Sequence, residues 1–234
     1  SAPHGTLYHS WKWLKLIEKH CQCKLFPLVF FDARDRQPFG ILPVFLMKKL
    51  GLKMVFSPPP GSAVNLGPVL ADKGYRQHKT ELAYLDFQAA VDKFINGLGS
   101  SYTFIFTSPE ELDMRPFIWA KYQVTPFYTY KIDLKEGREN IWKKLSSSLK
   151  LNIKNASRRG VRIVETQDTE NVRELYFSLK QRYSQKGLNL PLKLEYLKDL
   201  FDEFKPSALK LYLAFYEDKV MGSQFCIQYK DTSI

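Results

Sequence analysis

The chain has 234 residues, of which 44% are hydrophobic and 15% aromatic, so it can bury a sizeable core and is not a disordered chain. Its formal net charge is +11 and its pI is about 9.4. A positive excess of this size favours anionic partners, namely nucleic acid, nucleotides, phosphorylated metabolites or an anionic membrane surface, without choosing among them.

The cysteine content argues against a disulfide framework and a zinc site. Cys21 and Cys23 form a C-x-C pair, Cys226 stands far from both, and no matching Cys/His pair follows. We therefore predict no metal and a reducing compartment. Residues 1–20 lack the apolar centre of a secretory signal, and no run of about 18 apolar residues occurs. The predicted location is the cytoplasm, with no transmembrane segment.

The first half of the chain alternates between strands and helices. Trp13, Leu14 and Ile17 recur at helical spacing, so a helix is predicted there. Residues 24–32, 39–47 and 52–56 are predicted strands, because they are rich in apolar, aromatic and β-branched side chains between turn signals. Residues 57–68 hold four prolines and two glycines, which indicates either a stiff connector or a loop that lines a site.

A long helix over residues 75–98 and a strand over residues 102–106 follow. Ser108, Pro109 and Glu111 are then typical of a helix start, with the serine as cap and the proline at the first helical position.

The second half repeats the mixture of elements. Residues 127–134 alternate as a strand does, and residues 139–157 form a predicted helix. Further strands and helices are predicted at residues 161–165, 169–187 and 191–204, and then as a hairpin over residues 209–229. The apolar stripe that should face inward on the predicted helix over residues 139–157 comprises Trp142, Leu145, Leu149 and Ile153. We predict an α/β (α+β) protein with two domains, residues 1–126 and 127–234.

Common catalytic and nucleotide-binding motifs are absent from the sequence. We find no H-E-x-x-H, P-loop, G-x-G-x-x-G or G-x-S-x-G pattern. The four histidines all lie in the first third of the chain. A histidine-dependent nucleophile is therefore disfavoured, and no catalytic residue is assigned.

Several pieces of the second half together carry a family resemblance. They are a Tyr-rich segment ending in Asp-Leu, a tryptophan, a basic helix end, an arginine before a Gly-containing turn, a Tyr-Leu helix and a Gly-containing hairpin. They stand at residues 128–134, 142, 152–161, 182–187, 196–197 and 218–222. With "YHSWKWLKLI" and "GILPVFLMKK" in the first half, this order resembles the Fem-type branch of the GNAT-fold acyltransferases, which includes peptidoglycan interpeptide-bridge aminoacyltransferases.

The resemblance implies a fold and a reaction. The fold would be two tandem GNAT-like domains, each a mixed central sheet flanked by helices, with the second incomplete at its C-terminus. The reaction would move an aminoacyl or acyl group from aminoacyl-tRNA or acyl-CoA to a primary amine of an anionic acceptor. Such a transfer needs held reactants and stabilisation of the developing oxyanion rather than a covalent nucleophile.

The resemblance also implies substrate-binding residues. Arg182 and Tyr196 match by position the residues that contact the phosphates of a nucleotide-linked acceptor, and Tyr183 lies beside them. Lys15 is a candidate from the first helix. An arginine fork and tyrosine hydroxyls suit phosphate. The alternative is that Arg182 is a solvated helix end and Tyr196 the edge of a core.

A basic row raises a second possibility. Lys143, Lys150, Lys154 and Arg158 recur at spacings of seven, four and four on the predicted helix over residues 139–157, so they share one face. In the Fem-type interpretation this face receives a phosphate-bearing substrate or tRNA. A merely solvated cationic surface is the alternative, and a base-reading helix is disfavoured, because no helix-turn-helix, zinc or RNP signature is present.

The sequence departs from the GNAT pattern at its end. The Q/R-x-x-G-x-G/A stretch, whose helix start binds the pyrophosphate of an acyl donor, is not found. Two expectations remain open. The chain is either a fragment of a longer acyltransferase or a non-catalytic GNAT-fold scaffold or phosphate/RNA-binding protein. The sequence does not indicate the oligomeric state.

Overall fold

The computed structural model describes residues 5–31, 36–109 and 113–234. By its contacts the chain divides into a first unit, Ser1–Phe127 with Pro191–Tyr196, and a second unit, Tyr128–Leu190 with Leu197–Ile234. The sequence-based division after residue 126 did not anticipate that residues 191–196 group with the first unit.

The described residues of the first unit form a five-stranded sheet and three α-helices. They are, in chain order, α1 (Trp11–His20), β1 (Cys23–Phe31), β2 (Pro38–Lys49), β3 (Leu52–Ser57), β4 (Val69–Leu70), α2 (Gln77–Gly97), β5 (Tyr102–Ile105) and α3 (Arg115–Trp119). The strand order is β1-β2-β3-β5, with β4 paired to β2. The β3–β5 pair is parallel and the other pairs are antiparallel, so this sheet is mixed, as predicted.

Both faces of the first sheet are covered. On one face, α2 and α3 bury a cluster consisting of Leu42, Val44, Val55, Tyr84, Phe87, Val91, Ile95 and Phe117. On the other face, Leu25 and Phe45 are direct partners across β1 and β2, and α1 packs against β1 with its buried side chains. Each fully buried Leu, Val or Phe stabilises the fold by roughly 1.5–3 kcal/mol.

The second unit holds a four-stranded sheet and four helices, one of which, α7, begins in the first unit. They are, in chain order, α4 (Arg138–Lys144), α5 (Ser147–Arg158), β6 (Arg162–Thr166), α6 (Val172–Gln185), α7 (Leu194–Phe204), β7 (Leu209–Tyr216), β8 (Lys219–Tyr229) and β9 (Thr232–Ser233). The strand order is β6-β7-β8-β9, and every pair is antiparallel. The α/β class is confirmed, but the prediction of a mixed sheet is wrong for the described strands of this unit.

The second unit has its core along β7. Leu209, Leu211 and Leu213 are buried at alternate positions, because successive strand side chains point to opposite faces. Phe201 of α7 stacks on Phe225 with 5.7 Å between the ring centroids. The predicted hairpin between β7 and β8 is confirmed. Its turn has positive φ at Glu217 and Asp218, which matches the twist of paired strands.

The strand predicted over residues 127–134 is wrong. The segment has no regular structure before a short 3-10 turn at Leu134–Glu136, and no described strand pairs with it. Tyr128 and Tyr130 are 93% and 99% exposed. Alternation in a sequence marks two faces, but a strand forms only where a neighbouring strand accepts its hydrogen bonds.

The helix predicted to start at Ser108 is also placed differently. Ser108 and Pro109 are not helical, and the described helix begins at Arg115 with a proline in its first turn. Glu111 lies outside the described residues. Ser108 is buried, so its polar side chain is used inside the unit and not as a helix cap.

The proline-rich loop over residues 57–68 is held tightly in the first unit. The Ser57 hydroxyl donates to the Pro43 carbonyl at 2.7 Å and accepts from the Gly67 amide at 3.2 Å. Gly67 has φ +60, and a Cβ there would lie 2.8 Å from the Cα of Thr107, so only glycine fits. These contacts favour the stiff connector among the two alternatives for this loop.

Candidate functional site

The predicted helix over residues 139–157 is two helices. α4 ends at Lys144, Leu145 is extended, and α5 begins after Ser146. The Ser146 hydroxyl accepts a hydrogen bond from the Leu149 amide at 3.3 Å and so satisfies one of the unpaired amides at the start of α5. The break therefore arises because a serine caps a new helix within the predicted one.

The basic row survives this break. Lys150, Lys154 and Arg158 follow each other at four-residue intervals along α5, which places them on one side of that helix. Lys143 lies on α4, but the Lys150 ammonium donates to the Lys143 carbonyl at 2.8 Å and holds the two helices together at this point. We call Lys143, Lys150, Lys154 and Arg158 the basic face.

Most of the basic face is not neutralised by carboxylates. Lys144 pairs with Glu136 at 2.6 Å and Arg162 pairs with Asp218 at 2.7 Å. Within the described part of the chain, the side chains of Lys143, Lys154 and Arg158 have no such partner. Like charges four residues apart destabilise a helix by about 0.2–0.5 kcal/mol per pair. A bound polyanion would remove this repulsion.

A cleft adjoins the basic face. It has a volume of about 580 Å³ and is lined by Arg138, Glu139, Trp142, Lys143 and Ile153. Two cations, one carboxylate and an indole ring therefore surround one open space. Arg138 has no ion-pair partner among the described residues.

The apolar stripe predicted to face a core does not do so. No residue of α4 or α5 is buried, and Leu149 and Ile153 are 44% and 43% exposed. Trp142 and Leu145 are half-buried. The prediction of an inward stripe is therefore wrong, although the amphipathic spacing that suggested it is present.

Arg182 and Tyr183 occupy the last turn of α6, where the sequence placed them. Arg182 is exposed and without an ion-pair partner among the described residues, and Tyr183 is half-buried. The Tyr183 carbonyl accepts from the amides of Lys186 and Leu188, and Gly187 ends the helix at φ +68. A cation in the last turn is stabilised by the helix dipole, and its guanidinium remains open to a ligand.

Tyr196 is placed inside the first unit. It is 1% exposed, and its hydroxyl donates to the Ser62 carbonyl at 2.5 Å. The Trp13 indole donates to the same carbonyl at 3.2 Å. Burial raises the pKa of Tyr196 well above its usual value, so the phenol keeps its proton. The hydroxyl is thus engaged within the unit, and the proposed phosphate contact of Tyr196 stays a prediction.

Sequence reasoning missed this shared carbonyl, because a backbone acceptor inside a proline-rich loop carries no side-chain signal. Ser62 is itself buried, and its hydroxyl donates to the Pro59 carbonyl at 2.8 Å. The phenol of Tyr8, in contact with the Trp13 ring, is buried and has no hydrogen-bond partner among residues 5–31, 36–109 and 113–234. Burial raises the pKa of Tyr8 to about 12.

Lys15 has partners on its own helix. Its ammonium pairs with Glu18 and lies 5.7 Å from the centre of the Trp11 ring. Glu18 also accepts from the Leu25 amide at 2.9 Å, so the pair links α1 to β1. The structure thus places Lys15 and Tyr196 in the first unit, and Arg182, Tyr183 and the basic face in the second.

In residues 5–31, 36–109 and 113–234, no three His, Cys, Asp or Glu side chains are grouped closely enough to hold a metal ion. None of the helices found there has the length and apolar content needed to cross a membrane. The thiols of Cys21, Cys23 and Cys226 are free.

The fold is similar to that of the crystal structure of FemX, with a TM-score of 0.55 at 13% sequence identity, over 92% of this chain and 54% of the FemX chain. The chain therefore spans about half the length of that protein. No curated protein matches the sequence.

A family model matches part of the sequence. Residues 119–221 match the model of the FemAB family, a stretch that includes α4, α5, α6 and α7. The resemblance to the Fem-type branch is confirmed by this match and by the fold.

Proposed function

We propose that the chain belongs to a Fem-type aminoacyltransferase, which moves an aminoacyl group from aminoacyl-tRNA to a primary amine of an anionic acceptor. The observation that carries the proposal is the FemAB match over residues 119–221, because this stretch contains both the basic face and Arg182. A transfer that uses tRNA also places the chain in the cytoplasm.

The reaction makes modest demands on side chains. The neutral amine attacks the ester carbonyl, a tetrahedral intermediate forms, and the ribose hydroxyl of the tRNA leaves with a proton. Most of the rate can come from holding amine and ester together and from donors aimed at the developing oxyanion. The described residues therefore have their main role in holding two anionic substrates.

The basic face suits tRNA better than acyl-CoA. Lys150 to Arg158 spans eight residues of α5, or roughly 12 Å of helix, and Lys143 extends the row. A row of this length matches several phosphates of a polynucleotide strand rather than one pyrophosphate. Attraction of this kind is independent of sequence and weakens with salt.

The acceptor is assigned to the end of α6. Arg182 offers an uncommitted guanidinium fork, and the Tyr183 hydroxyl would add a further donor to the same phosphate group. Lys15 and Tyr196 remain predictions for this site, since each already has partners within the first unit.

A transfer assay tests the proposal. The chain is incubated with tRNA charged with a radiolabelled amino acid and with a nucleotide-linked peptide that has a free primary amine. We expect label in the peptide, and we expect charged tRNA to support it while acyl-CoA does not. An acceptor peptide acetylated on its amine is the matched control and should remain unlabelled.

The same assay separates the enzyme from a binding scaffold. A scaffold would bind tRNA in charged and uncharged form alike and would leave the peptide unlabelled. That combination, observed with folded chain, would contradict the proposed activity and favour a phosphate- or RNA-binding protein with this fold.

A further inference from the structure

The geometry points to the cleft beside Trp142 as a site for an unpaired RNA base, next to phosphates that lie along the basic face. The inference rests on the proposed function, because it takes tRNA to be the polyanion. It adds that an unpaired end next to those phosphates enters the cleft, and that an indole ring holds its base.

The lining of the cleft has the chemistry that a nucleotide needs. Trp142 is half-buried and lines the open space. Arg138 and Lys143 line the same space and have no ion-pair partners among the described residues. An aromatic face beside cations is how proteins hold single strands without reading sequence, by stacking on the base and by charge on the phosphate.

The cleft and the basic face are continuous. Lys143 lines the cleft, and the Lys150 ammonium contacts the Lys143 carbonyl at 2.8 Å. From there Lys154 and Arg158 continue along α5 at four-residue steps, about 6 Å each. A strand whose base stacks on Trp142 would therefore find cations at regular intervals for its following phosphates.

The charge balance favours an anion in the cleft. Glu139 also lines it, so two cations face one carboxylate there. From Asn140 to Arg162 the sequence holds no acidic residue. A phosphate in the cleft is therefore attracted by a net positive charge, and an apolar planar group can stack on the half-buried indole.

An anionic membrane surface is the competing partner. Leu149 and Ile153 are exposed on α5 beside the basic face, and such a helix can lie on a charged bilayer. We favour RNA because the open cleft sets an indole ring beside two cations, and an unpaired base with its phosphate uses both.

The test compares two RNA hairpins of identical stem, one blunt and one with a short 3′ overhang, each with a fluorescent label. Their affinities for the full 234-residue chain are measured by fluorescence anisotropy. We expect the overhang to bind about tenfold more tightly, since stacking of one base on an aromatic side chain has about that effect. Trp142→Ala should remove this preference and leave the blunt hairpin's affinity unchanged, while Trp142→Phe should keep most of it.

Two further variants serve as controls. Trp119→Ala removes an exposed indole from the first unit and should leave the preference intact. Lys154→Ala should weaken both hairpins by the same factor, because it removes a phosphate contact common to them. If Trp142→Ala fails to fold by circular dichroism, Arg138→Ala at the exposed rim of the cleft takes its place and should weaken the overhang more than the blunt stem.

The outcomes separate this inference from the proposed function. Equal binding of both hairpins, or a preference that survives Trp142→Ala, overturns the base site and leaves tRNA binding by the basic face. Absence of binding to either hairpin overturns both. Sedimentation of the chain with anionic phospholipid vesicles, combined with no overhang preference, overturns the base site in favour of the membrane.

Discussion

At the scale of single residues, the position of a hydroxyl decides its role. The family resemblance implies that both Tyr183 and Tyr196 contact the substrate, and the sequence does not show which of the two hydroxyls is accessible. Tyr183 lies at a helix end at the surface, whereas Tyr196 is buried and donates to the Ser62 carbonyl. Leaving the Tyr196 hydroxyl unpaired in the interior would cost roughly 1–3 kcal/mol, so its bond to the Ser62 carbonyl stabilises the first unit. Arg182 thus carries most of the acceptor hypothesis.

Replacement of Arg182 by alanine should weaken binding of a nucleotide-linked acceptor by about tenfold or more and leave the unfolding transition unchanged. The reason is that a charged hydrogen-bonding fork to phosphate is lost from an exposed position. Calorimetric titration with the acceptor measures the change. Lys186→Ala, an exposed cation one turn further along, is the matched control. Unchanged affinity in Arg182→Ala would refute the placement of this site.

Buried thiol and phenol groups should make the first unit less stable as the pH becomes alkaline. Burial raises the pKa of Cys21 to about 11, of Cys23 to about 12 and of Tyr8 to about 12. In the unfolded chain, thiols lose protons near pH 8.5 and phenols near pH 10, so the unfolded state binds fewer protons than the folded state above these values. The free energy of unfolding should therefore have its full value, as far as these groups are concerned, below about pH 8. It should fall as the pH rises towards the folded-state pKa values.

Urea unfolding at about pH 7.5, 9 and 10 checks this dependence. A Cys21→Ala, Cys23→Ala double variant should lose less stability than the natural sequence between the first two values. Cys226→Ala, which removes a thiol from the second unit, is the control. Stability that does not change with pH across this range would contradict the role of the buried thiols.

At the scale of elements, the sequence predicts what lies within one segment and misses what depends on neighbours. The amphipathic pattern of residues 139–157 shows where the cations lie, and Lys150, Lys154 and Arg158 all lie on α5. It does not show that Ser146 would start a second helix, because the surrounding spacing continues smoothly across the break. The cleft beside Trp142 depends on the angle between α4 and α5, so no sequence pattern marks it.

Two other errors have the same origin. Residues 127–134 carry the alternation of a strand but have no described partner strand. Ser108 has the sequence context of a helix cap, yet it is buried within the first unit. In both cases tertiary surroundings override a local preference.

The cap of α5 can be tested alone. Ser146→Ala removes the hydroxyl that accepts from the Leu149 amide, and loss of such a cap costs about 1 kcal/mol of helix stability. Amide hydrogen exchange in the first turns of α5 should therefore become about fivefold faster. Ser157→Ala, an exposed serine at the other end of α5, should not accelerate exchange. Equal exchange rates in Ser146→Ala and the natural sequence would show that the cap does not hold this helix.

At the scale of the whole molecule, the net charge indicates the class of partner, whereas the distribution of the charges indicates where that partner binds. The charge of +11 predicts anionic partners in general, and the composition alone gives that result. Some cations elsewhere in the second unit are paired, as Lys198 is with Glu170 at 2.6 Å and Lys205 with Asp202 at 2.6 Å. The basic face differs because it sets four cations in one row, of which Lys143, Lys154 and Arg158 have no carboxylate partner in the described part of the chain, so a polyanion can contact several of them at once.

The salt dependence of tRNA binding distinguishes binding through the basic face from attraction by the overall net charge. If the basic face is the contact surface, Lys154→Ala should lower the steepness of log affinity against log salt by about one, since one phosphate contact and its released counterion are lost. Lys79→Ala removes an equal charge from an exposed position on α2 in the first unit and should leave the slope unchanged. Both variants have the same net charge, so a difference between them arises from position alone. Equal reductions in the two variants would mean that tRNA responds to the overall charge and not to the row along α5.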